Sequence, residues 1–314
     1  CGRHVELRLG LLRRIIGFCL IACFVGIALD MLTSVPWKGY SYMVGEVELS
    51  ANRSWAFDDI DRIGGFARMS TALSVMIAIY SLFIAAFIQP RVLRLMLYIA
   101  ALIGIVLTTN KSTAAAYVLT LLMLIVTAYR FASATAFLIA VLVGLMLPMF
   151  SLVLSLDPNA ANNGSLLASF ADRLINSWPN FIGVITREGW GWWGAGFGAV
   201  GSTGKVYPVP GLELLSIADN TALYLWGMLG VFGVLLYLLT FPLMLRLHER
   251  GSRLRSALLP IVFCICLVAW ATDVLEVSIA TLFLGLAISH VLTPARAPSN
   301  NLAAQRLPEL QHLT

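Results

Sequence analysis

An all-α integral membrane fold, a bundle of about eight transmembrane helices, is predicted by three observations on this 314-residue chain. Hydrophobic residues make up 59% of it and charged ones 12%, about half the charged share of a soluble domain. Apolar segments long enough to cross a bilayer recur along it, and helices pair their own backbone groups in hydrocarbon. The short connectors between those segments are basic and the long ones acidic. No soluble catalytic domain remains, so any chemistry belongs to loops or helix ends at one membrane face. In a soluble protein a net charge of +5 suggests nucleic acid; here the position of each charge reports sidedness, and nucleic acid is not an expected partner.

The spans read in order as residues 12–32, 70–88, 95–109, 114–129, 131–154, 221–245, 256–275 and 277–293. The first follows Arg3, Arg8, Arg13 and Arg14, a basic cytoplasmic flank. The third and fourth are short and joined by Asn110-Lys111-Ser112, as in a tight hairpin. The fifth starts after Arg130, and the sixth after Asp219-Asn220, a good N-cap, with Gly227, Gly230 and Gly233 allowing close helix packing. Two long segments, 33–69 and 155–220, interrupt a single polytopic domain. With the N-terminus inside, thirteen basic and three acidic residues face the cytoplasm, against eight and thirteen outside. The long segments, and the expected active face, then point away from the cytoplasm. Cys19, Cys23, Cys264 and Cys266 lie in apolar segments without metal-ligand spacing, so neither metal nor disulfide is expected.

Eight basic residues stay outside against the bias: Lys38, Arg53, Arg62, Arg68, Lys111, Arg173, Arg187 and Lys205. Solvated loop charges account for some of them. Lys111 sits in a very short turn between apolar helices, where an ionised group needs a partner or water. Arg173 falls in an amphipathic stretch, 165–178, with Leu166, Leu167, Phe170, Leu174 and Trp178 along one side. A ring of such cations suits a membrane-borne anion: at an effective dielectric of about 20, each charge pair at 4 Å contributes roughly 4 kcal/mol before desolvation. Two or three would hold a lipid diphosphate.

Tryptophans are also one-sided. Trp37, Trp55, Trp178, Trp190, Trp192 and Trp193 are in the outer segments, fitting either an interfacial belt or faces that pack on sugar rings. Residues 187–205 run Arg-Glu-Gly-Trp-Gly-Trp-Trp-Gly-Ala-Gly-Phe-Gly-Ala-Val-Gly-Ser-Thr-Gly-Lys. The GxGxxG at Gly196, Gly198 and Gly201 lacks a strand before it or a βαβ unit, so it reads as accidental. Closely spaced glycines fit either a flexible linker or close backbone approach to a ligand or helix. Asp219, a carboxylate at the outer mouth, is a candidate general base as well as a helix cap.

Several of these motifs together resemble the bacterial O-antigen ligase and polysaccharide polymerase superfamily, integral-membrane glycosyltransferases of the GT-C type. The resemblance spans about residues 60–245. It rests on Arg62-Ile-Gly-Gly65, Thr109-Asn-Lys-Ser-Thr113, Arg173 with Trp178, the Gly-Trp-Gly-Trp-Trp-Gly-Ala-Gly-Phe-Gly run, and Asp219-Asn220 with Leu225-Trp-Gly-Met-Leu-Gly-Val-Phe-Gly233. Where this chain has Lys111 the family often has Ser-Arg. Members usually carry ten or more spans, with several before the Arg-x-x-Gly region, so the single span here and a start at Cys1 imply an N-terminal truncation by an even number of helices.

The resemblance implies transfer of a glycan from a polyprenyl diphosphate carrier to an acceptor hydroxyl at the periplasmic face of the bacterial inner membrane, with inversion and without cofactor or metal. It assigns the diphosphate to Arg62, Lys111, Arg173 and Arg187, sugar contact to Trp178, Trp190, Trp192, Trp193 and Asn220, and the base to Asp219. Implied partners are the lipid-linked donor, a glycan acceptor, the bilayer, a chain-length regulator and a flippase. Ligases of the family have a His where this chain has Asp219, and His4, His248, His290 and His312 all read as inner-side, which favours a polymerase. The alternative is a transporter or flippase for a lipid-linked or anionic solute, against which stand the lack of an internal repeat and of charges near span centres.

Overall fold

The computed structural model describes residues 8–33, 37, 39–44, 47–50, 56–57, 60–127, 129–153, 168–201, 213–216, 218–249 and 252–293. The described chain is mostly helical. Helix α1 (Leu9–Leu32) precedes two small antiparallel hairpins, β1 (Ser41–Val44) with β2 (Val47–Ser50), and β3 (Ala56–Phe57) with β4 (Ile60–Asp61). Four helices follow: α2 (Ser70–Ala85), α3 (Arg91–Leu107), α4 (Lys111–Val126) and α5 (Arg130–Phe150). A second group comprises α6 (Ala168–Asp172), a π-turn (Arg173–Ser177) and α7 (Trp178–Arg187). The last helices are α8 (Thr221–Leu229), α9 (Val231–Leu238), α10 (Thr240–His248), α11 (Arg253–Val268) and α12 (Ser278–Leu292).

Helical structure thus occupies all eight segments expected to be helical. Among the described residues, three helices, Leu9–Leu32, Arg130–Phe150 and Val231–His248, are long and apolar enough to cross a membrane by length and composition, and the chain is compatible with a membrane protein. The amphipathic stretch expected at 165–178 begins, within the described residues, at Ala168 and runs on to Arg187; Leu166 and Leu167 lie outside the described residues.

Helix α11 is the axis of the bundle. Every residue from Ala257 to Val268 is buried, and α2, α4, α5, α10 and α12 pack around it. A helix apolar on all sides is stable only when wrapped in this way. Small polar pairs tie its neighbours together: Ser74 to Thr113 at 3.1 Å and Ser81 to Tyr117 at 2.9 Å join α2 to α4. The outward sides of α1 and α3 stay apolar, with Phe18, Ile21, Val92, Met96 and Ile103 exposed, as faces that meet lipid do.

The sixth expected span is broken. Gly230 has φ +60° and ψ −139°, closed to side chains bearing a Cβ, and it separates α8 from the helical run Val231–His248 that contains α9 and α10. The glycine-rich run mends the break. Ala195 N donates to Gly227 O at 2.7 Å, Gly196 N to Met228 O at 3.1 Å, and Val231 N to Trp192 O at 3.1 Å. Backbone groups freed from the helix are re-paired by the loop, the condition for interrupted helices at membrane depth. The described part of the run is therefore neither a linker nor an open anion cradle: a Cβ on Gly194 would collide with Met228 backbone and one on Gly227 with the Phe181 ring at 2.7 Å.

Candidate functional site

Arg173 and Asp219, both singled out in the sequence and 46 residues apart, form an ion pair: Arg173 Nε donates to Asp219 Oδ2 at 3.1 Å. The pair is partly open, with side chains 20% and 37% exposed, so its net contribution to stability is about 1 kcal/mol or less. Two backbone irregularities meet there. Arg173 opens the π-turn, a wide turn that often marks functional sites, and Asp219 has φ +47°. Among the described residues, Asp219 and Thr109 are the two non-glycine residues in left-handed conformation. Such geometry costs on the order of 1–3 kcal/mol and persists where its surroundings enforce it.

Asn220 and Thr221 do the enforcing. Asn220 is fully buried and caps α8 by accepting from Leu223 N at 2.9 Å; its amide donates to Gly144 O at 3.0 Å and Trp270 O at 3.1 Å. With the amide committed and no exposed surface, Asn220 is a structural pin, contrary to the sugar contact expected of it. Thr221 N donates to Ala269 O at 3.0 Å, its hydroxyl donates to Thr272 O at 2.9 Å, and the same oxygen accepts from Val274 N at 3.0 Å. The residues on both sides of Asp273 are thereby tied to the strand of chain that carries Asp219.

Asp273 lies beyond the end of α11, in the connector 269–277, although the sequence assigned it to a span. Its Oδ1 accepts from Leu275 N at 3.2 Å. Burial first, then the charge of Glu276, and also that of Asp219, push its carboxyl up to about 8 against the pull of the Leu275 N–H. Glu276 in turn faces Gly201 and Tyr224: a Cβ on Gly201, φ +90°, would meet the Glu276 carboxylate and lie 2.6 Å from the Tyr224 ring. Asp273 and Glu276 were missed as site residues. The available signal was an Asp-x-x-Glu pair interrupting an apolar stretch, an expensive placement that invites a functional reading.

The other expected cations lie elsewhere. Lys111 is exposed at the head of α4, where Asn110 accepts from Thr113 N at 3.1 Å and from the Ser112 hydroxyl at 2.9 Å. The preceding Thr109, φ +59°, buries its hydroxyl without a hydrogen-bond partner among the described residues. Arg62 is half-buried just before Gly64 and Gly65, whose N–H groups both donate to Asp30 Oδ2 at 2.9 and 3.0 Å. Arg187 is exposed and pairs with its neighbour Glu188 at 3.1 Å. Lys38, Arg53 and Lys205 lie outside the described residues.

The tryptophans divide into two kinds. Trp178 is fully buried against Phe170, ring centroids 5.9 Å apart, and so offers no face to a sugar, a correction to its expected role. Its place in an apolar cluster with Phe181, Ile185 and Leu223 makes it the anchor of α7. Trp190 is half-buried against the same cluster. Trp192 and Trp193 are 72% and 78% exposed, the latter beside Phe232, and retain free ring faces. Set against family models, curated proteins and solved structures, the chain matches none.

Proposed function

We propose that the protein is an integral-membrane glycosyltransferase that transfers or polymerises polyprenyl-diphosphate-linked oligosaccharide repeats at the extracytoplasmic face of a bacterial cytoplasmic membrane. In this reading the eight helical segments span the bilayer, and the Arg173–Asp219 end of the bundle faces outward. The observation that carries it is the partly open Arg173–Asp219 pair on irregular backbone, with Asp273, its carboxyl pushed up to about 8, in the connector that Thr221 ties to the same stretch of chain.

The chemistry asks little else of the protein. A diphosphate leaves readily once its charge is held, the task given to Arg173; Arg62 and Lys111, which lie apart from the Arg173–Asp219 pair, are assigned to it by the family resemblance alone. Inverting attack by an acceptor hydroxyl then requires a base and orientation of both substrates. Trp192 and Trp193 supply apolar faces for sugar rings.

In cells lacking the gene, a copy carrying Arg173→Ala or Lys111→Ala is expected to yield shortened or no surface polysaccharide at normal protein levels. Unchanged polymer length and yield with both variants would refute the diphosphate role. A reporter fused near residue 250 is expected to read as cytoplasmic. The broken helix at Gly230 favours a second reading, a flippase for lipid-linked glycan, since interrupted helices line transport sites. Liposomes separate the two: a flippase moves the lipid-linked glycan across the bilayer without forming a glycosidic bond.

A further inference from the structure

We infer that the loop 192–197 is a membrane foot: Trp192, Trp193 and Phe197 seat in the phospholipid layer at the edge of the hydrocarbon, beside the first turn of α9. This rests on the reading of Val231–His248 as a span and is independent of the transferase chemistry.

Three rings project from the loop, with Trp192 72%, Trp193 78% and Phe197 81% exposed. No charged residue occurs between Glu188 and Lys205, so nothing in the run opposes contact with apolar surroundings. An exposed aromatic patch of this kind marks a surface that meets a partner.

The helix beneath identifies the partner. Trp193 rests on Phe232, ring centroids 6.4 Å apart, and Trp192 O accepts from Val231 N at 3.1 Å. Phe232 heads a row of exposed apolar side chains with Leu235, Leu236 and Leu239, the i, i+3, i+4, i+7 spacing of one helix face. In a span that row faces acyl chains, and the rings of the loop continue it past the end of the helix. Val231–His248 is 18 residues, about 27 Å, close to the hydrocarbon thickness of about 30 Å. Arg246 and His248 stand at its far end and Trp193 at its near one. Indole rings concentrate at that boundary, where the ring body meets chains and the N–H meets water.

Helix α5 gives the same level. It runs antiparallel to Val231–His248: Phe137 stacks on His248, and Gly144 lies against Tyr237, whose hydroxyl a Cβ there would meet. From that shared level, six residues on α5 lead to Phe150 and six on α9 lead back to Val231, each a climb of about 9 Å. Phe150, Leu152 and Val153 are apolar and exposed at the height so reached. Two helices thus present lipid-facing side chains level with Trp193. The foot leaves room for the sugar contact given to these indoles, because the sugars nearest a lipid carrier lie at headgroup level.

The test is tryptophan fluorescence of the purified full chain in phosphatidylcholine nanodiscs, with the lipid brominated either near the headgroup or near the chain end. The loop component is the difference between the unmodified chain and Trp192→Phe or Trp193→Phe, each of which keeps an aromatic ring in place. That component is expected to lose more intensity to headgroup-proximal bromine than to chain-end bromine, and to be shielded from iodide in water. Leu239→Trp, on the same row about 10 Å deeper, adds a component that chain-end bromine quenches most. A loop component quenched by iodide and by neither lipid, with Leu239→Trp quenched as expected, overturns the foot, leaves the span standing and assigns the rings to a soluble partner such as a glycan chain. A Leu239→Trp component quenched by neither lipid overturns the foot together with the span on which the proposed function also rests. Trp192→Phe and Trp193→Phe are read separately, so the outcome does not hang on one variant folding.

Discussion

Gly230→Ala tests the interlock between the glycine-rich run and the broken helix. At φ +60° and ψ −139° a residue with a Cβ is strained by about 1–3 kcal/mol. The new Cβ would overlap the Trp192 carbonyl and lie 2.6 Å from Trp193 N, and these are backbone atoms with no rotamer to yield. Overpacking of that kind adds about 1–3 kcal/mol, for a combined loss of about 2–6 kcal/mol. Thermal unfolding of the protein in detergent, followed by circular dichroism, is expected to drop by on the order of 10 °C. Gly194→Ala attacks the same interface from the loop side, with a Cβ that would lie 2.5 Å from Leu229 N, and is expected to do likewise. Gly183→Ala and Gly285→Ala serve as controls: nothing lies within 4 Å of either Cβ, and both sit inside helices, so each is expected to be neutral or to stabilise by up to about 1 kcal/mol. Midpoints for Gly230→Ala and Gly194→Ala that match those of the controls would refute the interlock.

Two further outcomes follow from the geometry of the site. Asn220→Ala leaves Gly144 O, Trp270 O and Leu223 N without their side-chain partner, and a loss of about 3–5 kcal/mol is expected in the same unfolding assay. Asp273 titrates at about 8 in the folded chain against an ordinary 3.8, so between those values the folded state holds a proton that the unfolded state has lost. Its contribution is full below about pH 4 and is lost as pH rises through about 8, at up to about 1.4 kcal/mol per pH unit. The unfolding midpoint should fall over that window and level off above it, and Asp273→Asn should flatten the slope.

Hydropathy made the eight helical segments legible because each is written in a long apolar run. It could not reveal the break at Gly230, since Leu229, Val231 and Phe232 are apolar whether or not the helix continues. The capping capacity of Asp219-Asn220 was visible, but not its division of labour, with Asn220 taking the cap and Asp219 freed for Arg173. Arg173 and Asp219 each stood out as charges on the outer segments, yet nothing local joins positions 46 residues apart. Trp178 stood out for its chemistry, which is the same in a core and in a sugar site; only burial separates the two. Asp273 was hidden by its neighbours, because an apolar run extending past Val268 masks where the helix stops.

Three backbone hydrogen bonds sew residues 192–196 to both sides of the break at Gly230. A helix cut in this way would ordinarily act as a joint, with its halves free to swing. Here the stitch crosses the cut, so residues 192–196 and the helical pieces on both sides of Gly230 are held as one lever. Asp219 sits at the tip of that lever, immediately before α8. The exposed Trp192 and Trp193 are therefore joined to the carboxylate facing Arg173 through paired backbone and not across a free joint.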